Sequence, residues 1–251
     1  VWGILRGETE WGVTWHRIDD GIDTGAVIVE RHFAVAERET SLSLNTRNFE
    51  EAIDSFSDLL DILETGQVQA QPQDTGVPTA VFRRADRPDG VLDFSQSAVD
   101  VDRVVRALHF GPHPNPVAAA VLWHPLKAIV VGSSDVVAIE GRSACGTLLA
   151  ANATGLTVAC STGGVLLRDL RWLNGTPCDT EQFLAATGAA VGCVLPQLTG
   201  EQRHWLADFA TRNHRHETAI AAHLIAMAPA SFPWPHIADR TRSSERDRAT
   251  I

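Results

Sequence analysis

The sequence predicts an α/β chain in which a strand pair and a long helix precede a small β-rich unit and a helical tail. Three patterns carry this expectation. Residues 12–18 (GVTWHRI) alternate apolar and polar types, and 26–35 (AVIVERHFAV) form a second β-rich run beyond a turn dense in Asp and Gly. Together they read as a hairpin. Residues 39–66 place Leu42, Phe49, Ala52, Ile53, Phe56, Leu59, Leu60 and Leu63 at spacings of three, four and seven. That is one apolar helix face, expected to pack on a sheet. Between 117 and 173, short apolar runs (VAAAVLW, KAIVVG, DVVAIEG, GTLLAA, GLTVAC, GVLLRDLRWL) are separated by Gly-containing turns, the punctuation of a small barrel or sandwich.

The elements follow in order. Thr40 or Ser41 can cap the long helix and Gly66 can close it. Residues 67–90, rich in Gln, Pro, Asp, Arg and Gly, read as a linker. A short helix over 98–108 follows, capped by Ser97, with Val101, Val104, Val105 and Leu108 on one side. Residues 110–116 (FGPHPNP) can be neither helix nor inner strand, because their prolines remove backbone donors. After 176 the chain turns helical and loosely packed, notably over 201–227. The last dozen of its 251 residues are expected to be disordered. The divisions are therefore 1–75, 76–176 and 177–251.

Composition narrows the function. The apolar fraction of 44% and charged fraction of 21% are those of a soluble globular protein, expected in the cytoplasm. A net charge of -10 argues against general nucleic-acid binding, which needs clustered Lys and Arg. No apolar run approaches the roughly 18 residues of a membrane span. Cys145, Cys160, Cys178 and Cys193 are scattered and form no CxxC, so free thiols are expected and no metal. Neither GxGxxG nor GxxxxGK[ST] occurs.

The turn 18-IDDGIDTG-25 is the chemical candidate. Gly21 and Gly25 let a ligand approach the backbone, exposed N–H and C=O groups can read a flat heterocycle, and a carboxylate at Asp23 can take a proton. His16, seven residues earlier, can point toward the same rim. The alternative is that the aspartates only shape a soluble turn and that His16 is a half-exposed strand residue beside Trp15.

The run GVTWHRIDDGIDTGAVI resembles the second half of the active-site signature of the formyltransferase family. Further on, 71-QPQD-74 and 91-VLDFSQSAVDVDRVVRAL-108 resemble that family's "PQD" and "IDW…SA…I.R.IRA" segments. The resemblance covers residues 3 to 175. It implies the C-terminal part of a Rossmann-like catalytic domain (1–75), then a small OB-like β-barrel domain (76–176), then a helical junction and tail (177–251). It further implies 10-formyltetrahydrofolate as formyl donor and an amine as acceptor. Asp23 matches the catalytic aspartate, His16 the histidine of the preceding strand, and Ile18, Asp19, Asp20, Gly21 and Ile22 the loop whose backbone holds the pterin ring.

The family's Asn-x-His segment, which stabilises the oxyanion, does not occur in this sequence, which opens on Val1 within a helical pattern. The expectation is a fragment beginning just after that segment and inactive alone. For the acceptor, basic and acidic residues nearly balance between 78 and 176, which supports a tRNA-tracking groove poorly. FGPHPNP and the junction 174–202 resemble formyltransferase domains fused to nonribosomal peptide synthetases. Residues 213–241 are similar to the opening of synthetase condensation-like regions, although 214-HRH-216 also reads as a solvated helix face. The expected acceptor is therefore an aminoacyl group on a carrier protein. A methionyl-tRNA formyltransferase-like enzyme and a noncatalytic docking homologue are the alternatives.

Overall fold

The computed structural model describes residues 1–21, 23–73, 82, 88–113, 115 and 117–203. Ile22, Asp74, much of the expected linker and the tail from 204 onward lie outside the described residues. A one-turn helix α1 (Trp2–Arg6) leads into the expected hairpin, β1 (Glu10–His16) and β2 (Val27–Ala34), paired antiparallel. The long helix α2 (Ser41–Thr65) begins at Thr40, whose side chain accepts from the Ser43 backbone while Ser43 reaches back to the Thr40 backbone. It ends at Gly66, whose φ of 66° a residue without Cβ tolerates.

Only one edge of the α2 face is covered. Leu44, Ser55 and Leu59 are buried, and Trp15 donates its indole N–H to Ser55 Oγ at 3.0 Å while its ring lies against Phe56. Phe49, Ile53, Leu60 and Leu63 are exposed. The helical spacing correctly predicted the element, but a two-stranded sheet is too narrow to cover the whole stripe.

Helix α3 (Ala98–Ala107) starts at Ser97, whose hydroxyl accepts from the Asp100 N–H. Val101 and Val105 sit in the main core, each burial worth roughly 2 kcal/mol. That core is completed by a five-stranded antiparallel sheet in the order β3-β4-β7-β6-β5: β3 (Val121–Leu122), β4 (Ile129–Val137), β5 (Leu148–Asn152), β6 (Gly155–Ala159) and β7 (Gly164–Trp172).

The two runs KAIVVG and DVVAIEG, expected as separate strands, are joined in the single strand β4. Burial falls on Ile129 and Val131, then shifts phase to Ser134. On β7 it likewise moves from Val165 and Leu167 to Leu170. Both shifts occur where Gly132 faces Asp169, a non-glycine residue at φ 51°. A Cβ on Gly132 would stand 2.8 Å from the Asp169 Cβ, so the glycine lets the two strands bend together and the sheet curl. GSSD looks like a turn in sequence and is in fact this bend.

The residues after 176 pack tightly instead of loosely as far as they are described. Helix α4 (Thr180–Thr187) carries Phe183 into the main core, and Leu195 joins it, while Leu148 N–H donates to the Cys193 carbonyl at 2.8 Å. All four cysteines are free, and burial pushes the Cys160 thiol up to about 12, which keeps it unreactive.

What fixes the hairpin on the sheet is Asp102 of α3. Its buried carboxylate accepts from Arg106 Nε (2.6 Å), Ser134 Oγ (2.8 Å) and Arg38 Nη1 (3.2 Å). Arg38, just beyond β2, also donates to the Ser134 carbonyl, and Arg106 donates to the Glu39 carbonyl. A second small core of Ile4, Phe33, Leu44 and Ala107 lies on the other side of α3. Asp102→Ala leaves the buried Arg106 without its anion, while Arg38 keeps Asp135 at 2.6 Å, and should cost roughly 3–5 kcal/mol. Ser134→Ala, removing one neutral donor, should cost about 1 kcal/mol. Urea unfolding of the two variants checks that order.

Candidate active site

The site is built at the open end of the hairpin. The β1–β2 register slips between Trp15 and His16, so that Trp15 pairs with Val29 and His16 with Val27. Such a bulge re-aims a side chain, and here Trp15 packs on α2 while His16 stands at the turn. The hairpin closes with Arg17 N–H donating to the Ala26 carbonyl at 2.9 Å. A Cβ on Gly25 would lie 1.7 Å from the Arg17 carbonyl oxygen, so only glycine permits this crossing.

The three aspartates are not equivalent. Asp19 Oδ1 accepts from the Thr24 hydroxyl (2.6 Å) and the Gly21 N–H (3.0 Å). Those two bonds hold its carboxyl below the usual aspartate range. Asp20 is exposed. Asp23 is in the left-handed region at φ 56°, which Asp tolerates better than most residues at a cost of order 1–3 kcal/mol. This turns its carboxylate back toward β1, where Oδ1 lies 3.6 Å from His16 Nε2.

The ring tautomer follows from its other nitrogen. His16 Nδ1 is 2.9 Å from the Arg17 carbonyl oxygen. A carbonyl can only accept, so Nδ1 carries a proton and, in the neutral ring, the Nε2 lone pair faces Asp23. The separation exceeds a formed hydrogen bond, as is common before substrate arrives. The Asp23 side chain is 87% exposed and that of His16 26%, so a ligand can reach the carboxylate while the imidazole is partly sheltered.

The structure therefore brings His16 and Asp23 together and leaves Ile18, Asp19, Asp20 and Gly21 exposed along the same loop, with the Ile18 side chain almost fully exposed at 96%. Ile22 is outside the described residues. Sequence reasoning missed Thr24 and Gln73 as parts of the site. Gln73 Nε2 donates to both the Asp23 carbonyl (2.9 Å) and the Gly25 carbonyl (2.7 Å). The only signal for it was its place in QPQD. Among the described residues, no group of three or more His, Cys, Asp or Glu could hold a metal ion, and no helix is long and apolar enough to cross a membrane.

The Asp19 bonds give a pH prediction. A folded-state value below the unfolded one stabilises the loop above the ordinary aspartate range, and that support is lost as pH falls through the depressed value. The Gly21 amide resonance should titrate with a midpoint below the ordinary aspartate range, and Asp19→Ala should abolish the titration.

Comparison with known proteins follows the same division. Residues 1–59, covering the hairpin and most of α2, match the family model described as formyl transferase, and residues 85–188, from α3 to α4, match that of the formyl transferase C-terminal domain. A methionyl-tRNA formyltransferase of Pelobacter propionicus is 29% identical over 194 residues, covering 77% of this chain and 58% of the relative. Two solved structures share the fold. HypX from Aquifex aeolicus, in complex with tetrahydrofolic acid, has a TM-score of 0.53 at 18% identity over 76% of this chain and 32% of that one. An N-formyltransferase from Helicobacter canadensis, in complex with folinic acid and dTDP-3-aminofucose, gives 0.53 at 19% over 66% and 58%. The chain spans less than two thirds of the length of these proteins. With its hairpin half and its sheet half each matched in order by one of the two family models, the chain belongs to the formyltransferase family.

Proposed function

We propose that this chain carries the proton-handling part of an N-formyltransferase that moves a formyl group from 10-formyltetrahydrofolate to an amine. The observation that carries the reading is the His16–Asp23 pair at 3.6 Å beside an exposed, glycine-bearing loop. The residues fit a flat folate ring: Ile18 to Gly21 are exposed, and Gly21 and Gly25 keep side chains off the backbone. The folate supplies the formyl group in activated form. Asp23 accepts the proton that the amine loses as its nitrogen bonds to the formyl carbon, and His16 Nε2 shares it. The proton then passes to the departing folate nitrogen, so charge and atoms balance. General base catalysis of this kind is typically worth ~10²–10⁴ in rate.

The acceptor in this reading is an aminoacyl group on a carrier protein of a nonribosomal peptide synthetase. The charge pattern disfavours tRNA, because Arg103, Arg106 and Arg168 are each paired with an aspartate and so are poorly placed to track phosphates. A methionyl-tRNA acceptor is the second reading, favoured by the names of the curated relatives. We assign residues 1–75 to the C-terminal part of the catalytic domain and 76–176 to an OB-like barrel, onto whose core the described start of 177–251 packs through Phe183 and Leu195. The curl at Gly132 and Asp169 supports the barrel assignment.

In the complete polypeptide, Asp23→Asn should lower formyl transfer at least ~100-fold with unchanged circular dichroism. Near-normal transfer would refute the role of Asp23. Wild-type protein offered both acceptors should formylate the aminoacyl carrier protein, and transfer to methionyl-tRNA alone would overturn the carrier reading.

A further inference from the structure

We infer that Gln73 is a positioning residue that sets the Asp23 carboxylate against His16, a role that rests on the formyl-transfer reading of this site. The chain returns to the hairpin after α2 at Gln71, which exchanges two backbone hydrogen bonds of 2.8 Å with Val27 at the start of β2. Two residues later, the Gln73 side chain lies across the turn. Its amide nitrogen has two hydrogens, and it donates to the carbonyls on either side of Thr24, those of Asp23 and Gly25.

Those carbonyls belong to the two most constrained residues of the loop. Asp23 is in the left-handed region, and Gly25 crosses the Arg17 carbonyl with no room for a Cβ. Fixing both carbonyls fixes the Asp23 backbone, and with it the direction of the Cα–Cβ bond from which the carboxylate reaches toward His16. Asp19 holds the turn from within through Thr24 and Gly21, but neither bond reaches the Asp23 backbone. An amide of this reach donates to both at once. A glutamate would present oxygens to two carbonyl oxygens, and a methionine of similar shape would donate nothing.

The test uses the 251-residue chain labelled with 15N-histidine, with the His16 ring signals assigned by His16→Gln. Asp23→Asn should move the His16 Nε2 resonance at fixed pH, and Gln73→Met and Gln73→Glu should move it in the same direction with Tm little changed. A purely structural role would leave that resonance in place. A His16 signal unchanged in both folded Gln73 variants overturns the assignment, as does one unchanged by Asp23→Asn. In parallel, 5-formyltetrahydrofolate, a stable isomer of the donor, is titrated into each protein. Gln73→Met should bind about tenfold more weakly than wild type. Equal affinity would overturn the role, whereas a wild type that binds no folate defeats the formyl-transfer reading and leaves the His16 signal to decide the geometry.

Discussion

The architecture depends on one buried carboxylate. Asp102 gathers Arg38 from beyond the hairpin, Arg106 from its own helix and Ser134 from the curled sheet. An isolated charge in that position would be strongly unfavourable, and three donors make it tolerable. Because the donors come from different elements, satisfying the charge forces the hairpin, α3 and the sheet into one arrangement. The apolar residues of α3 could pack in neighbouring registers, whereas the hydrogen bonds of Asp102 can be completed in one.

The site is constrained in a different way, by backbone crowding. A bulge turns His16 toward the loop, Gly25 permits a crossing that no side chain would allow, and Asp23 accepts a left-handed backbone. Each feature is locally unfavourable, and together they bring a carboxylate to an imidazole whose tautomer is already set by the Arg17 carbonyl. The bonds from Asp19 and Gln73 offset that strain by holding different groups of the turn. Strain concentrated at one exposed loop is what a preorganised site would show.

Much of this was legible in the sequence because it is local. The hairpin and the helix caps at Ser97 and at Thr40 or Ser41 follow from short-range patterns, and His16 and Asp23 are marked as candidates by the resemblance of their turn to the family signature. The failures are tertiary. Asp102 looks like one more polar helix residue, although its spacing from Arg106 hints at a pair. Gly132 lies in a polar run that reads as a turn, and only the facing Asp169 reveals a bend within one strand. The apolar face of α2 correctly indicated a helix but could not say how much of it the hairpin covers. Gln73 was visible only as a letter in a motif, since its partners lie 48 and 50 residues earlier.

On the proposed reading, folate binds at the turn that ends the hairpin. The most direct test is a map of amide chemical-shift changes as 5-formyltetrahydrofolate is added to the 15N-labelled chain. Binding there should confine the changes to residues 16–25 and Gln73, with the five-stranded sheet undisturbed. Changes centred instead on the cleft between residues 108–113 and the bend at Gly132 and Asp169 would contradict it.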